Sequence, residues 1–286
     1  MLCVHGIGQQ FKGERVLHGE WCPALRDGVG RAGGTLGADD VRCLFYGDVF
    51  RPPGRPLSVG VPPYTAADVD DDFERELLLA WWAEAARTDP GVVDPDSRTL
   101  ARVPRGAQAA LRALSTSRFF SGLAVRMLVF DLKQVRRYLM DEDVRAEIQD
   151  RLATAVDADT RVVVGHSLGS VVAYEALAAH RTWPVRSLVT LGSPLGVSFV
   201  QDFVQGFVHD RLPSGQPGRW PGSVEQWTNI ADSGDVVALR KDLGGLFGGD
   251  DRRVRDVEVH NGAHAHNVQP YLTAVETGRA ILSGLR

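Results

Sequence analysis

Along this chain, short apolar runs alternate with longer segments in which apolar residues recur every three or four positions. The runs suit buried strands and the longer segments suit amphipathic helices. Their alternation predicts an α/β fold, a mostly parallel sheet of about six strands flanked by helices. Strands are expected over 2–5, 41–46, 161–164, 187–191, 226–230 and 254–259, several of them β-branched and bounded by Gly, Asp or Pro. That composition suits strands covered on both faces. Helices are expected over 14–29, 73–87, 105–114, 119–155, 170–179 and 271–282, with the fourth broken in two. The stretch 73–155 is nearly all helical and lies between two strands. It is longer than an ordinary crossover, which predicts an inserted helical cap. No repeat of solenoid or propeller period is visible. The Pro-rich loop 51–63 and the Pro- and Gly-rich loop 212–222 lack the length and polarity of interdomain linkers, so residues 1–286 are read as one domain.

Composition narrows the function classes without naming one. The 286 residues are 44% hydrophobic and 24% charged with a formal net charge of −4, an ordinary globular balance. A nucleic-acid-binding domain would carry a basic stripe, so no nucleic-acid partner is expected. Cys3, Cys22 and Cys43 cannot all pair within one chain, which favours a reducing compartment. No charged n-region, apolar stretch and cleavage site precede the first strand, so a cytoplasmic location is expected, although whether native residues precede Met1 stays open. The most apolar stretch, 119–130, contains Arg126 and is shorter than the ~18–20 apolar residues of a spanning helix. No transmembrane segment is read.

The chemistry concentrates in Gly165-His166-Ser167-Leu168-Gly169, a G-x-S-x-G sequence. It follows the apolar run Val162-Val163-Val164 and opens into Ser170-Val171-Val172-Ala173-Tyr174, a helical segment. A turn this sharp from strand to helix strains the serine backbone, and side chains two residues either side would collide with neighbouring backbone. Glycine at both positions removes the collision and leaves Ser167 at the carboxyl end of the sheet, where open α/β sheets place ligands.

In these residues the chain resembles the α/β-hydrolase fold of serine esterases and lipases. The resemblance spans the sheet-forming parts, 2–46 and 161–282, and is weak over the helical middle. It implies a nucleophile followed in the chain by an acid and then a histidine. Asp235, in Gly234-Asp235-Val236-Val237, resembles the family's acid loop, with Asp232 as a reserve that could instead cap the turn. Of His260, His264 and His266, the resemblance favours His266, a few residues before Tyr271-Leu272, with His264 as the alternative base. Three histidines in seven residues also suggest a metal, but no Cys or carboxylate cluster of ligand spacing accompanies them. Neither metal nor cofactor is expected.

Two backbone N–H donors should hold the oxyanion: that of Leu168, after the nucleophile, and that of Ile7, in a His5-Gly6-Ile7-Gly8 loop similar to the oxyanion loop of bacterial lipases. The alternative for that loop is an ordinary Gly-rich turn. His166 is read as packing, His5 as holding the loop, and Leu191-Gly192-Ser193-Pro194 as a turn shaping the site wall. Asp48, after another strand, is read as a turn cap.

The expected activity is hydrolysis of a carboxylic ester, with a small or lipid acyl ester as substrate. A catalytically silent binding scaffold, and an acyltransferase or thioesterase using the same residues, are the alternatives. Phe119, Phe120, Leu123, Ala124, Met127, Leu128, Leu132, Val135 and Leu139 recur at helical spacing and would form core, a lid over an acyl pocket or a surface for peripheral lipid contact; Trp81-Trp82 leaves the same choice. Acyl length, leaving group and oligomeric state stay open.

Overall fold

A computed structural model describes residues 1–51, 61–69, 72–95, 106–117, 119–120, 124–197, 200, 218–249, 252–262 and 265–286. Its centre is a six-stranded sheet built from β1 (Leu2–Val4), β2 (Arg42–Leu44), β3 (Val162–His166), β4 (Ser187–Leu191), β6 (Gln226–Asp232) and β9 (Arg255–Val259). The spatial order is β2-β1-β3-β4-β6-β9, and every neighbouring pair is parallel. All six strands read from the sequence are present. A second, three-stranded sheet joins β5 (Gly218–Arg219), β7 (Phe247–Gly249) and β8 (Arg252–Arg253). Gly218-Arg219, Phe247-Gly248-Gly249 and Arg252-Arg253 carry no apolar run, so the sequence gives no sign of these strands.

The sheet divides the apolar interior in two. Leu2, Val4, Val163 and Leu188 face one side, where they pack with α2 (Asp72–Thr88), α3 (Ala107–Thr116), α4 (Val125–Met140), α5 (Glu142–Ala155) and α6 (Leu168–Ala179). Cys3, Val162, Val164, Val189 and Ile230 face the other, against α1 (Glu14–Arg31), α7 (Val268–Thr273) and α8 (Val275–Leu285). The alternation along each strand is the period of two that pleated backbone imposes. With both faces covered, β3 reads as the uninterrupted apolar run Val162-Val163-Val164.

The helical segment 119–155 does break in two. Asp141 stands at the break, and its carboxylate accepts the Val144 N–H at 3.2 Å to cap α5. Phe119 and Phe120 lie in a turn before α4 rather than in its helix. At the C-terminus one predicted helix is two. Ala274 is extended, with φ −64° and ψ 139°, and the Thr277 hydroxyl donates to the Tyr271 carbonyl at 2.6 Å. No Gly marks this break, and Pro270 precedes it by a full turn, so local signals do not reveal it.

The apolar stripe of the helical middle belongs to the core. Trp81, Trp82, Leu128, Leu132, Val135 and Leu139 are buried in the cluster that also holds Val163, Leu168 and Tyr174. Leu123 lies outside the described residues. No helix among the described residues is long and apolar enough to cross a membrane. The three cysteines are buried free thiols. A hydrogen bond with Cys43, its partner across β1 and β2, and then burial push the Cys3 thiol well above its ordinary value, which makes it unreactive.

One consequence of the strand order positions the site. The chain leaves β1 for β2 on one side, then returns across β1 to β3 on the other. In such sheets a crevice opens at the carboxyl ends of the strands where the order reverses. The loop His5-Gly6-Ile7 leaves β1 there, and Ser167 leaves β3 beside it.

Candidate active site

Ser167 has φ 52° and ψ −129°, and it is the only non-glycine residue at positive φ among the described residues. Such backbone costs of order 1–3 kcal/mol and persists only where the surroundings fix it. Here the Ser167 N–H donates to the Leu191 carbonyl at 3.0 Å, while its own carbonyl accepts from the Ser170 N–H at 2.9 Å and the Ser170 hydroxyl at 2.6 Å. The Ser193 and Ser170 hydroxyls are 2.7 Å apart, which ties the Gly-Ser-Pro turn to this elbow.

Glycine is required on both sides. A Cβ on Gly165 would lie 2.7 Å from the Gly169 carbonyl oxygen, and one on Gly169 would lie 2.2 Å from the Val4 carbonyl oxygen. The loop from β1 also passes close: a Cβ on Gly6 would meet the Ser167 Cβ at 2.7 Å.

The structure brings three of the predicted residues into one hydrogen-bonded chain. His266 Nδ1 lies 2.8 Å from Asp235 Oδ2, and His266 Nε2 lies 3.1 Å from Ser167 Oγ. A carboxylate only accepts, so Nδ1 carries the proton, and Nε2 is left with a lone pair for the serine hydroxyl. Asp235 is fully buried. Burial alone would raise its carboxyl, but the adjacent His266 ring and hydrogen bonds from His266, Tyr271 and the Val237 N–H outweigh it and hold the group below its usual value.

Asp232, the reserve acid, is occupied elsewhere. Its Oδ1 accepts the Gly234 N–H at 2.7 Å and its Oδ2 accepts the Asn261 N–H, so it shapes the turn and joins β6 to the loop after β9. His260 is exposed, and His264 lies outside the described residues.

Leu168 opens α6 directly after Ser167, so its N–H has no carbonyl one turn back within the helix. Ile7 follows Gly6 in the loop pressed against Ser167. His5 fixes that loop: Nδ1 bonds the Gly6 carbonyl at 2.6 Å, Nε2 accepts the Tyr46 N–H at 3.2 Å, and the Tyr46 hydroxyl donates to the His5 carbonyl. Burial lowers His5 to about 4, which keeps the ring neutral as this pattern needs. His166 Nε2 donates to the His266 carbonyl at 3.0 Å, and burial lowers that ring to about 3. Besides packing, His166 thus anchors the backbone of His266. Asp48 pairs with Arg151 at 2.6 Å and lies outside the chain of hydrogen bonds around Ser167.

Some supports escape sequence reading. The Tyr271 hydroxyl donates to Asp235 Oδ2 at 2.8 Å while accepting the Asp232 N–H at 2.8 Å, so one side chain fixes both acids. Lys241 Nζ donates to the Asp235 carbonyl at 2.7 Å and to Glu84 of α2 at 2.7 Å, tying the helical middle to the acid loop. Gly192, at φ 53°, backs the pair so closely that a Cβ there would lie 2.6 Å from Asp235 Oδ2. The Leu191–Gly196 turn thus packs against the Asp235–His266 pair. Tyr271 carries a weak sequence signal, its position just after the histidines; Lys241 carries none.

Neither models of protein families nor curated proteins give a match to this chain.

Proposed function

We propose that this chain is a serine hydrolase of the α/β-hydrolase type that cleaves carboxylic esters through an acyl-enzyme. The observation that carries this reading is the Ser167–His266–Asp235 hydrogen-bonded chain, with spacings of 3.1 and 2.8 Å, on a serine held at φ 52°. His266 Nε2 removes the Ser167 proton as Oγ attacks the acyl carbonyl, and Asp235 holds the ring in its tautomer and stabilises the imidazolium. The oxyanion is placed at the N–H groups of Leu168 and Ile7; one such donor is worth about 10²–10³ in kcat. The imidazolium then protonates the leaving alcohol, and the same histidine activates a water that hydrolyses the acyl-serine.

In this reading the helices between β2 and β3 form a fixed wall, since their apolar faces lie in the main core. Stopped-flow mixing with p-nitrophenyl esters of graded acyl length tests the acyl-enzyme. The expected trace is a burst of p-nitrophenol approaching one equivalent per chain, followed by slower steady release, for at least one acyl length. Absence of any Ser167-dependent release across the series would contradict the proposal.

A further inference from the structure

Asp131 lies on α4 above the loop that leaves β1. Its Oδ1 accepts the Gln134 Nε2–H at 3.3 Å, and Gln134 Oε1 accepts the Gly8 N–H at 3.3 Å. A Cβ built on Gly8 would lie 3.9 Å from Asp131 Oδ1. The carboxyl therefore stands one residue along from Ile7, the proposed oxyanion donor. It is half-buried, and its Oδ2 makes no hydrogen bond to any described residue. Burial pushes the carboxyl up to about 7, against the opposing pull of the nearby His266 imidazole.

No cation pairs with this carboxyl among the described residues. The link between α4 and the loop runs through Gln134, which engages only Oδ1 of the carboxyl. A carboxyl beside the loop that carries the proposed oxyanion donor, partnered on one oxygen and open on the other among the described residues, is suited to a ligand. The chemistry of the partner follows from the carboxyl. An ammonium matches only the ionised acid, whereas a hydroxyl both donates and accepts and so matches either protonation state.

Resting on the serine-hydrolase reading above, we propose that Asp131 is a substrate-recognition residue and that the preferred esters carry a hydroxyl close to the ester linkage. A site built to bond a hydroxyl rejects the apolar isostere, because its own polar group is then left unpaired.

Two isosteric pairs test this by pH-stat titration at neutral pH. Methyl 3-hydroxybutyrate against methyl 3-methylbutyrate places the hydroxyl on the acyl side, and 2-hydroxyethyl butyrate against propyl butyrate places it on the alcohol side. The wild-type protein is expected to favour the hydroxylated member of at least one pair by about tenfold in kcat/KM. Asp131→Leu should bring that ratio to near one, and Asp131→Asn, which keeps a hydrogen-bonding group, should retain part of it. Asp131→Ala replaces the leucine variant if circular dichroism shows that leucine perturbs folding.

A merely structural role would change both members of a pair alike and leave the ratio in place. A ratio near one in the wild type, or one that Asp131→Leu leaves unchanged, would overturn the proposal while ester turnover itself stands. If none of the four esters turns over and a fluorophosphonate leaves Ser167 unmodified, the hydrolase reading fails, and this proposal with it.

Discussion

Ser167→Ala is expected to lower kcat/KM for p-nitrophenyl butyrate by about 10⁴-fold or more, since loss of a serine nucleophile removes the acyl-enzyme route altogether. The substitution deletes one oxygen whose only side-chain partner among the described residues is His266 Nε2 at 3.1 Å. The backbone bonds that hold the elbow, from Ser167 N–H to the Leu191 carbonyl and from Ser170 to the Ser167 carbonyl, do not involve Oγ. Thermal unfolding should therefore change little. Paired measurement of turnover and unfolding separates a chemical role from a folding one: activity lost with the transition intact supports the assignment, and activity retained refutes it.

Gly169→Ala should produce a large loss of stability from a single methyl group. The added Cβ would sit 2.2 Å from the Val4 carbonyl oxygen and 2.4 Å from the His5 carbonyl oxygen, both backbone atoms of β1 and the loop that follows it. Neither a rotamer change nor a flexible side chain can relieve such contacts. Either α6 moves off the sheet or β1 shifts. Overpacking of this kind costs about 3 kcal/mol or more, which lowers the unfolding midpoint of a chain this size by roughly 6–10 °C. Because the displaced backbone leads into Gly6 and Ile7, the surviving folded protein should also lose turnover. Gly13→Ala is the control, since a Cβ at Gly13 meets nothing within 4 Å. An unchanged midpoint in Gly169→Ala would contradict the close approach of α6 to β1.

The parts of the fold legible in the sequence are those with a strong local pattern. Val162-Val163-Val164 reads as a strand covered on both faces because its β-branched residues alternate between the two cores. Gly165 and Gly169 signal a tight elbow because the turn admits no side chain at either position. The order Ser167, Asp235, His266 was legible through resemblance, and the structure brings those three together.

What stayed hidden depends on tertiary partners. The break at Ala274 follows from a Thr277 hydroxyl replacing a helical bond, and the β5-β7-β8 sheet from pairing between very short segments. The choice between core and lid for the helical middle could not be made from spacing. An amphipathic helix shows the same period whether its apolar face meets the core or a ligand. Likewise Tyr271, Lys241 and Asp131 act through contacts with residues distant in the chain, which no motif announces.

The central claim is that Ser167 is the group that takes the acyl chain. Its most direct measurement is reaction of the intact protein with a fluorophosphonate, followed by peptide mass spectrometry. One phosphonyl adduct per chain is expected, located on Ser167 and absent when His266 is replaced by alanine. An unmodified Ser167, or an adduct on another residue that forms equally without His266, would contradict it.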